Sequence, residues 1–114
     1  METLVRNFKA LSDRNRLRIL KLLQVRSLCV CEITEVLGVS TPTISNHLAV
    51  LVEAGFLRSE KDGRWVHYHL VRDPATAEAA SLLPLLHFWM NGDPQIESDR
   101  TKLKSVCKDD LCRN

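Results

Sequence analysis

A chain of 114 residues has room for one hydrophobic core and little beyond it, which disfavours a catalytic pocket buried between domains. Its hydrophobic fraction of 45%, charged fraction of 26% and formal net charge of +2 are those of a soluble globular protein, and no apolar run approaches the roughly 20 residues that span a bilayer. Nothing in Met1-Glu2-Thr3-Leu4-Val5 resembles a signal peptide, so the expected setting is the reducing cytoplasm, where four cysteines serve as ligands or sensors rather than structural disulfides.

Charge is unevenly placed. Residues 1–26 carry Arg6, Lys9, Arg14, Arg16, Arg18, Lys21 and Arg26 against only Glu2 and Asp13. Such an excess suits either a solvated helix face or a surface turned towards nucleic acid.

Leu4, Phe8 and Leu11 recur at helical spacing up to Ser12-Asp13, and Asp13 can cap a second helix carrying Leu17, Ile19, Leu20, Leu22 and Leu23. Ser27 to Cys31 leads into a third helix with Ile33, Val36 and Leu37 on its buried face, closed by Gly38, which suits a left-handed helix end. Ser40 or Thr41 can cap the next helix, and Pro42 is tolerated only in its first turn, so a fourth helix starts here and runs to about Glu53, before Ala54-Gly55. Helix, short glycine turn, helix is the helix-turn-helix pattern. Ile44, Leu48, Leu51 and Val52 form the buried stripe of its second helix. Thr43 and Asn46 then face outward beside Pro42, with Ser45 and His47 on the flanks. Small polar side chains that both donate and accept hydrogen bonds suit base edges and phosphates better than an ordinary Lys- and Glu-rich solvent face does.

Phe56 to Glu60 and Arg64 to Leu70 flank Lys61-Asp62-Gly63, and Asp-Gly between alternating runs predicts a two-stranded wing. From Asp73-Pro74 a further helix runs to Asn91-Gly92, kinked or split by Pro84 and apolar almost all round. A small monomer could not hide that surface, so the helix is expected to pack against a second copy of the chain. The sequence therefore divides into a unit at 1–92 and a polar, mobile tail at 93–114 that ends in Cys107 and Cys112. The fold class is mainly α with a small β-hairpin, in the order α-α-α-α-β-β-α, dimeric through terminal helices.

Five segments in this order carry a family resemblance: Leu11-Ser12-Asp13 with Arg16 to Leu20; Leu28-Cys29-Val30-Cys31-Glu32-Ile33; Ser45-Asn46-His47-Leu48 with Leu51; Ala54-Gly55; and Asp62-Gly63-Arg64-Trp65 with Tyr68 and Leu70. Over about residues 4–90 the chain resembles the ArsR/SmtB family of metal-responsive repressors. The resemblance implies a dimeric winged helix-turn-helix protein that holds operator DNA and releases it when an inducing ion binds. Cys29-Val30-Cys31 looks like the thiol site of the arsenic and antimony branch, or of the cadmium and lead branch. The inducer implied is As(III) or Sb(III), alternatively Cd(II) or Pb(II), with no further cofactor, no membrane and no enzymatic activity. Two departures are visible. Thr34 stands where the arsenic pattern often has a third cysteine, and a hydroxyl is a poor ligand for a thiophilic ion. The terminal-helix site of the zinc and cobalt branch is absent, since Asp73 is followed by Ala75, and Met90 follows three residues after His87.

The expected metal ligands are therefore Cys29 and Cys31, with Cys107 or Cys112 as donors of a third thiol from the tail. Residues i and i+2 of an α-helix point to separate faces, so the pair can grip one ion only where the backbone departs from regular helix. Ligation would then reshape the start of the third helix, whose positive N-terminus is expected to favour the thiolates, with Glu32 next door opposing this somewhat. The expected DNA-facing residues are Ser40, Thr41, Thr43, Ser45, Asn46 and His47, with Arg64 on the wing reaching phosphate or the minor groove. His67, His69, Trp65 and Tyr68 read as wing packing or solvent-facing positions. A redox- or persulfide-sensing repressor, in which Cys29 or Cys31 pairs with a tail cysteine, is the alternative of the same fold. A thiol enzyme or storage protein fits less well, because no catalytic cluster accompanies the cysteines and storage needs no reading helix.

Overall fold

The computed structural model describes residues 1–106, so Cys107 and Cys112 lie outside the described residues. Helix α1 (Glu2–Leu11) is followed by α2 (Arg14–Leu23), strand β1 (Leu28–Cys29), α3 (Val30–Leu37), α4 (Thr41–Glu53), β2 (Leu57–Asp62), β3 (Trp65–Leu70), α5 (Ala77–Leu85) and α6 (Pro94–Leu103).

Local chemistry sets most of these limits. The Asp13 carboxylate accepts the backbone N–H groups of Asn15 and Arg16 at 2.8 and 3.1 Å, capping α2 as its side chain predicts. Gly38 ends α3 at φ +69°, a conformation open to glycine at little steric cost, and Pro42 lies in the first turn of α4. Ile19, Leu20 and Leu22 of α2, Ile33 of α3 and Ile44, Leu48 and Leu51 of α4 close one core with Leu28, Phe56 and Leu57. Val52, expected in that stripe, is exposed.

The sheet departs from a simple hairpin. Its strand order is β1-β3-β2, all antiparallel, with Leu28 opposite Tyr68 and Cys29 opposite His67. In the wing Asp62 pairs with Trp65, so the two-residue loop is Gly63-Arg64, with Gly63 at φ +61°. The element order thus gains a strand ahead of α3 that the sequence reading lacked. Two residues are too few to show an alternation, and their partners lie some forty positions away.

The C-terminal part differs more. Instead of one helix to residue 91, α5 ends at Leu85, just after Pro84, and the backbone continues in tight i to i+3 turns through Trp89. Residues 94–103, expected as part of a mobile tail, form α6. Asp93 caps it through Gln95 and Ile96, and Pro94 opens it. Ile96 and Leu103 are buried, and Asp99 grips Arg18 of α2 through two hydrogen bonds of 2.8 and 2.9 Å. The buried Lys21 donates to the Leu86 carbonyl at 2.7 Å and to Asn91 Oδ1 at 3.0 Å, fixing the α5–α6 connection to α2.

Candidate metal site and DNA-reading face

Cys29 closes β1 and is also the residue preceding the first turn of α3, with extended backbone at φ −91° and ψ 166°; Cys31 lies within that turn. This strand-to-helix junction brings the two sulfurs to one side, 2.9 Å apart. The reasoning that regular helix would separate them holds, but no helix has to unwind, because β1 already supplies the extended residue. Ion capture at the two sulfurs requires both in the reduced state.

Glu32 organises the junction. Its Oε1 accepts the Cys29 backbone N–H at 3.0 Å and its Oε2 accepts Arg26 Nη1 at 2.8 Å, so the carboxylate caps α3 from within the structure. Burial opposes the charge of Glu32, but the Cys29 N–H and the Arg26 guanidinium outweigh it and hold the carboxyl below the usual glutamate range. For Cys29 the balance runs the other way. Burial pushes its thiol up, and the Glu32 carboxylate adds to this against the backbone N–H groups of Glu32 and Cys31. The expectation of an acidic thiol at a helix N-terminus is therefore corrected at Cys29 by desolvation and an adjacent negative charge. Thr34, at the position of the missing third cysteine, donates its hydroxyl to the Val30 carbonyl at 2.8 Å inside α3. Among the described residues no group of three His, Cys, Asp or Glu side chains is placed to hold a metal ion.

On α4 the side chains of Thr41, Thr43, Ser45 and Asn46 are exposed, and so is Ser40 at its start, whose hydroxyl lies 2.9 Å from that of Thr43. They form the outward face that the helical period predicts. His47 does not belong to it. It is only 8% exposed, with Nδ1 at 3.2 Å from Arg16 Nη1 and Nε2 at 3.9 Å from Asp13. Its ring joins α4 to the start of α2. Arg64 is exposed in the wing loop, with its guanidinium carbon 4.9 Å from the centre of the Trp65 ring.

Much of the early basic excess is used internally. Arg16 donates to the carbonyls of Ala10 and Lys9, Arg18 to Asp99, Lys21 to Leu86 and Arg26 to Glu32. Sequence reasoning missed the capping role of Glu32, although an acidic residue three positions after a helix-start residue is a capping-box signal. It also missed that Cys29 faces the wing strand, because the β1–β3 pairing leaves no local trace.

A sequence profile described as "Bacterial regulatory protein, arsR family" matches residues 13–59, which contain α2 to α4, the thiol pair and the first residues of the wing. The arsenical resistance operon repressor of Escherichia coli (strain K12) is 50% identical over 64 residues, covering 55% of this chain and 55% of that protein. The cadmium resistance transcriptional regulatory protein CadC of Listeria innocua is 44% identical over 64 residues, covering 55% of this chain and 54% of that protein. The matched stretch thus spans about half the length of these relatives. Among solved structures, the homodimeric winged helix-turn-helix DNA-binding domain of a possible ArsR-family regulator from Mycobacterium bovis superposes with a TM-score of 0.64 at 28% identity, covering 76% of this chain and 77% of that one. All three are named as regulators or repressors and none as an enzyme. On sequence and fold together, the chain belongs to the arsR family of bacterial regulatory proteins.

Proposed function

We propose that this protein is a homodimeric, cytoplasmic repressor that binds an operator through α4 and the wing and is released when a thiophilic ion binds Cys29 and Cys31, with As(III) or Sb(III) as inducer ahead of Cd(II) or Pb(II). The observation that carries the reading is the position of the thiol pair. Cys31 lies on α3, which packs on the reading helix, while Cys29 lies on a strand paired with the wing. Both DNA-contacting elements therefore abut the two ligands.

The donors fit such an ion. Two thiolates bonded to a tetrahedral ion at about 2.3 Å stand roughly 3.8 Å apart, so the sulfurs at 2.9 Å would part by about 1 Å. That movement acts on the cap held by Glu32 and on the β1–β3 ladder. A dimer must present two reading helices about 34 Å apart to successive major grooves, so a small change in their setting weakens the complex. Linkage makes the effect reciprocal, typically about 1–3 kcal/mol. Dimerisation through α1 and α5 is supported by their contact and by Leu4, Val5, Phe8, Leu85 and Phe88, exposed apolar residues on and just after these helices; Phe88 is 73% exposed. We keep residues 1–92 as the DNA-binding and dimerisation unit, with α6 as a clasp on α2, and Cys107 or Cys112 as donors of a third thiol. Ser40, Thr41, Thr43, Ser45 and Asn46 contact the DNA directly, Arg64 approaches its backbone, and His47 acts by fixing α4 against Arg16.

The test is fluorescence anisotropy of a palindromic operator under reducing conditions. Arsenite releases the wild-type protein, and Cys29→Ser with Cys31→Ser retains DNA affinity but loses release. Unchanged release from the double variant would overturn the reading. The closeness of the two sulfurs, beside both DNA-contacting elements, also supports a second reading, thiol-redox sensing. It predicts release by oxidant, with arsenite inert on the reduced complex.

A further inference from the structure

The β1–β3 register puts Cys29 directly opposite His67, and His67 directly opposite Glu60 on β2. Residues facing each other across antiparallel strands project to the same side of the sheet, with Cβ atoms about 4.5–5.5 Å apart. A thiol, an imidazole and a carboxylate therefore form one row across all three strands, and the second thiol, on Cys31, already touches the first. We propose that His67 completes a ligand set with Cys29 and Cys31 for a divalent cation of the zinc and cadmium type; the Glu60 carboxylate lies 3.6 Å from Nε2 of His69, the next residue on that face of β3. The inference rests on the reading of Cys29 and Cys31 as a ligand pair and extends it to a particular class of ion.

The donor chemistry distinguishes this set from one completed by a third thiol. Two thiolates and an imidazole suit a borderline divalent ion, whereas trivalent arsenic calls for a third soft thiolate. His67 is half-buried on β3, directly across the ladder from the buried Cys29. The site then joins three elements, namely β1, the start of α3 and the wing strand β3. Occupancy would tie the wing to the helix-turn-helix by a bond instead of by strand pairing alone.

The experiment uses the full chain, reduced, with Cd(II) and phenylarsine oxide as probes. The arsenical needs only two thiols and reports the integrity of the pair. His67→Ala and His67→Gln are expected to weaken Cd(II) binding by about tenfold or more while leaving phenylarsine oxide binding unchanged. X-ray absorption of the Cd(II) complex should lose one nitrogen donor in the same variants. The measurements are repeated with Cys107→Ser and Cys112→Ser to remove tail thiols, and the His67 effect persists there. Cd(II) affinity unchanged in both His67 variants, with phenylarsine oxide still bound, would overturn the role of His67 and leave the pair intact. If neither probe binds the wild-type chain at Cys29 and Cys31, both readings fall.

Discussion

Replacing Glu32 separates the two roles assigned to this buried carboxylate. In Glu32→Ala the buried Cys29 N–H loses its acceptor at 3.0 Å, and an unsatisfied buried donor costs about 1–3 kcal/mol. Arg26 loses its partner as well, but its side chain is 42% exposed, so that ion pair contributes under about 1 kcal/mol. Together the variant should be less stable by roughly 2–3 kcal/mol, or on the order of 10 °C in Tm for a domain of this size. Glu32→Gln keeps an acceptor for the Cys29 N–H and removes only the charge, so it should lose about 1 kcal/mol. Its Cys29 thiol, freed from a neighbouring carboxylate, should alkylate faster at a fixed pH. Urea unfolding at constant protomer concentration gives the first quantity, and iodoacetamide kinetics followed by peptide mass spectrometry gives the second. Equal stability losses in the two variants, or slower alkylation of Cys29 in Glu32→Gln, would refute the reasoning. The sign of the pH effect follows from the same group. The folded-state pKa of Glu32 is depressed, so its contribution is present above the ordinary glutamate range and is lost as pH falls through its folded value. The acid limb of wild-type stability should therefore flatten in Glu32→Gln.

On the reading face, Asn46→Ala should change which operator bases are preferred, as measured by competition binding, whereas Arg64→Ala should weaken all sequences alike and reduce the salt slope by about one. His47→Ala should lower affinity for every operator and destabilise the fold, since it removes the partner of Arg16 Nη1 at a buried junction; a base-specific effect measured by the same competition would return His47 to the groove. Asp99→Ala leaves Arg18 largely buried without its carboxylate and should cost about 3 kcal/mol, with hydrogen exchange rising first in α6. Protection of α6 unchanged from wild type would argue against the clasp.

The helix-turn-helix was legible because each boundary has a local cause: Asp13, Gly38 and Pro42 act through their own backbone neighbourhood, and the 3.6-residue period of Ile44, Leu48 and Leu51 marks the buried stripe. The wing was legible for the same reason at Asp62-Gly63. What escaped depends on distant partners. β1 exists only because Leu28 and Cys29 meet Tyr68 and His67, and His47 turned inward because Arg16 and Asp13 meet it from another helix. Helix α6 is a different case, since its signals, Asp93 before Pro94 and Ile96 seven residues before Leu103, were present in a stretch whose polarity suggested a tail. The thiol pair was found from its spacing. Its acidity was misjudged at Cys29, because burial, which the sequence does not show, joins the Glu32 charge and outweighs the helix N-terminus.

The central claim is that ion capture at Cys29 and Cys31 and loss of DNA are one event. Titrating arsenite into the reduced protein–operator complex, while following DNA release and the alkylation of each cysteine by mass spectrometry, tests it most directly. The account predicts that release tracks protection of Cys29 and Cys31 with a single midpoint, and that protection of Cys107 or Cys112 identifies the third thiol. Release while Cys29 and Cys31 stay open to alkylation, or their full protection with the operator still bound, would contradict it.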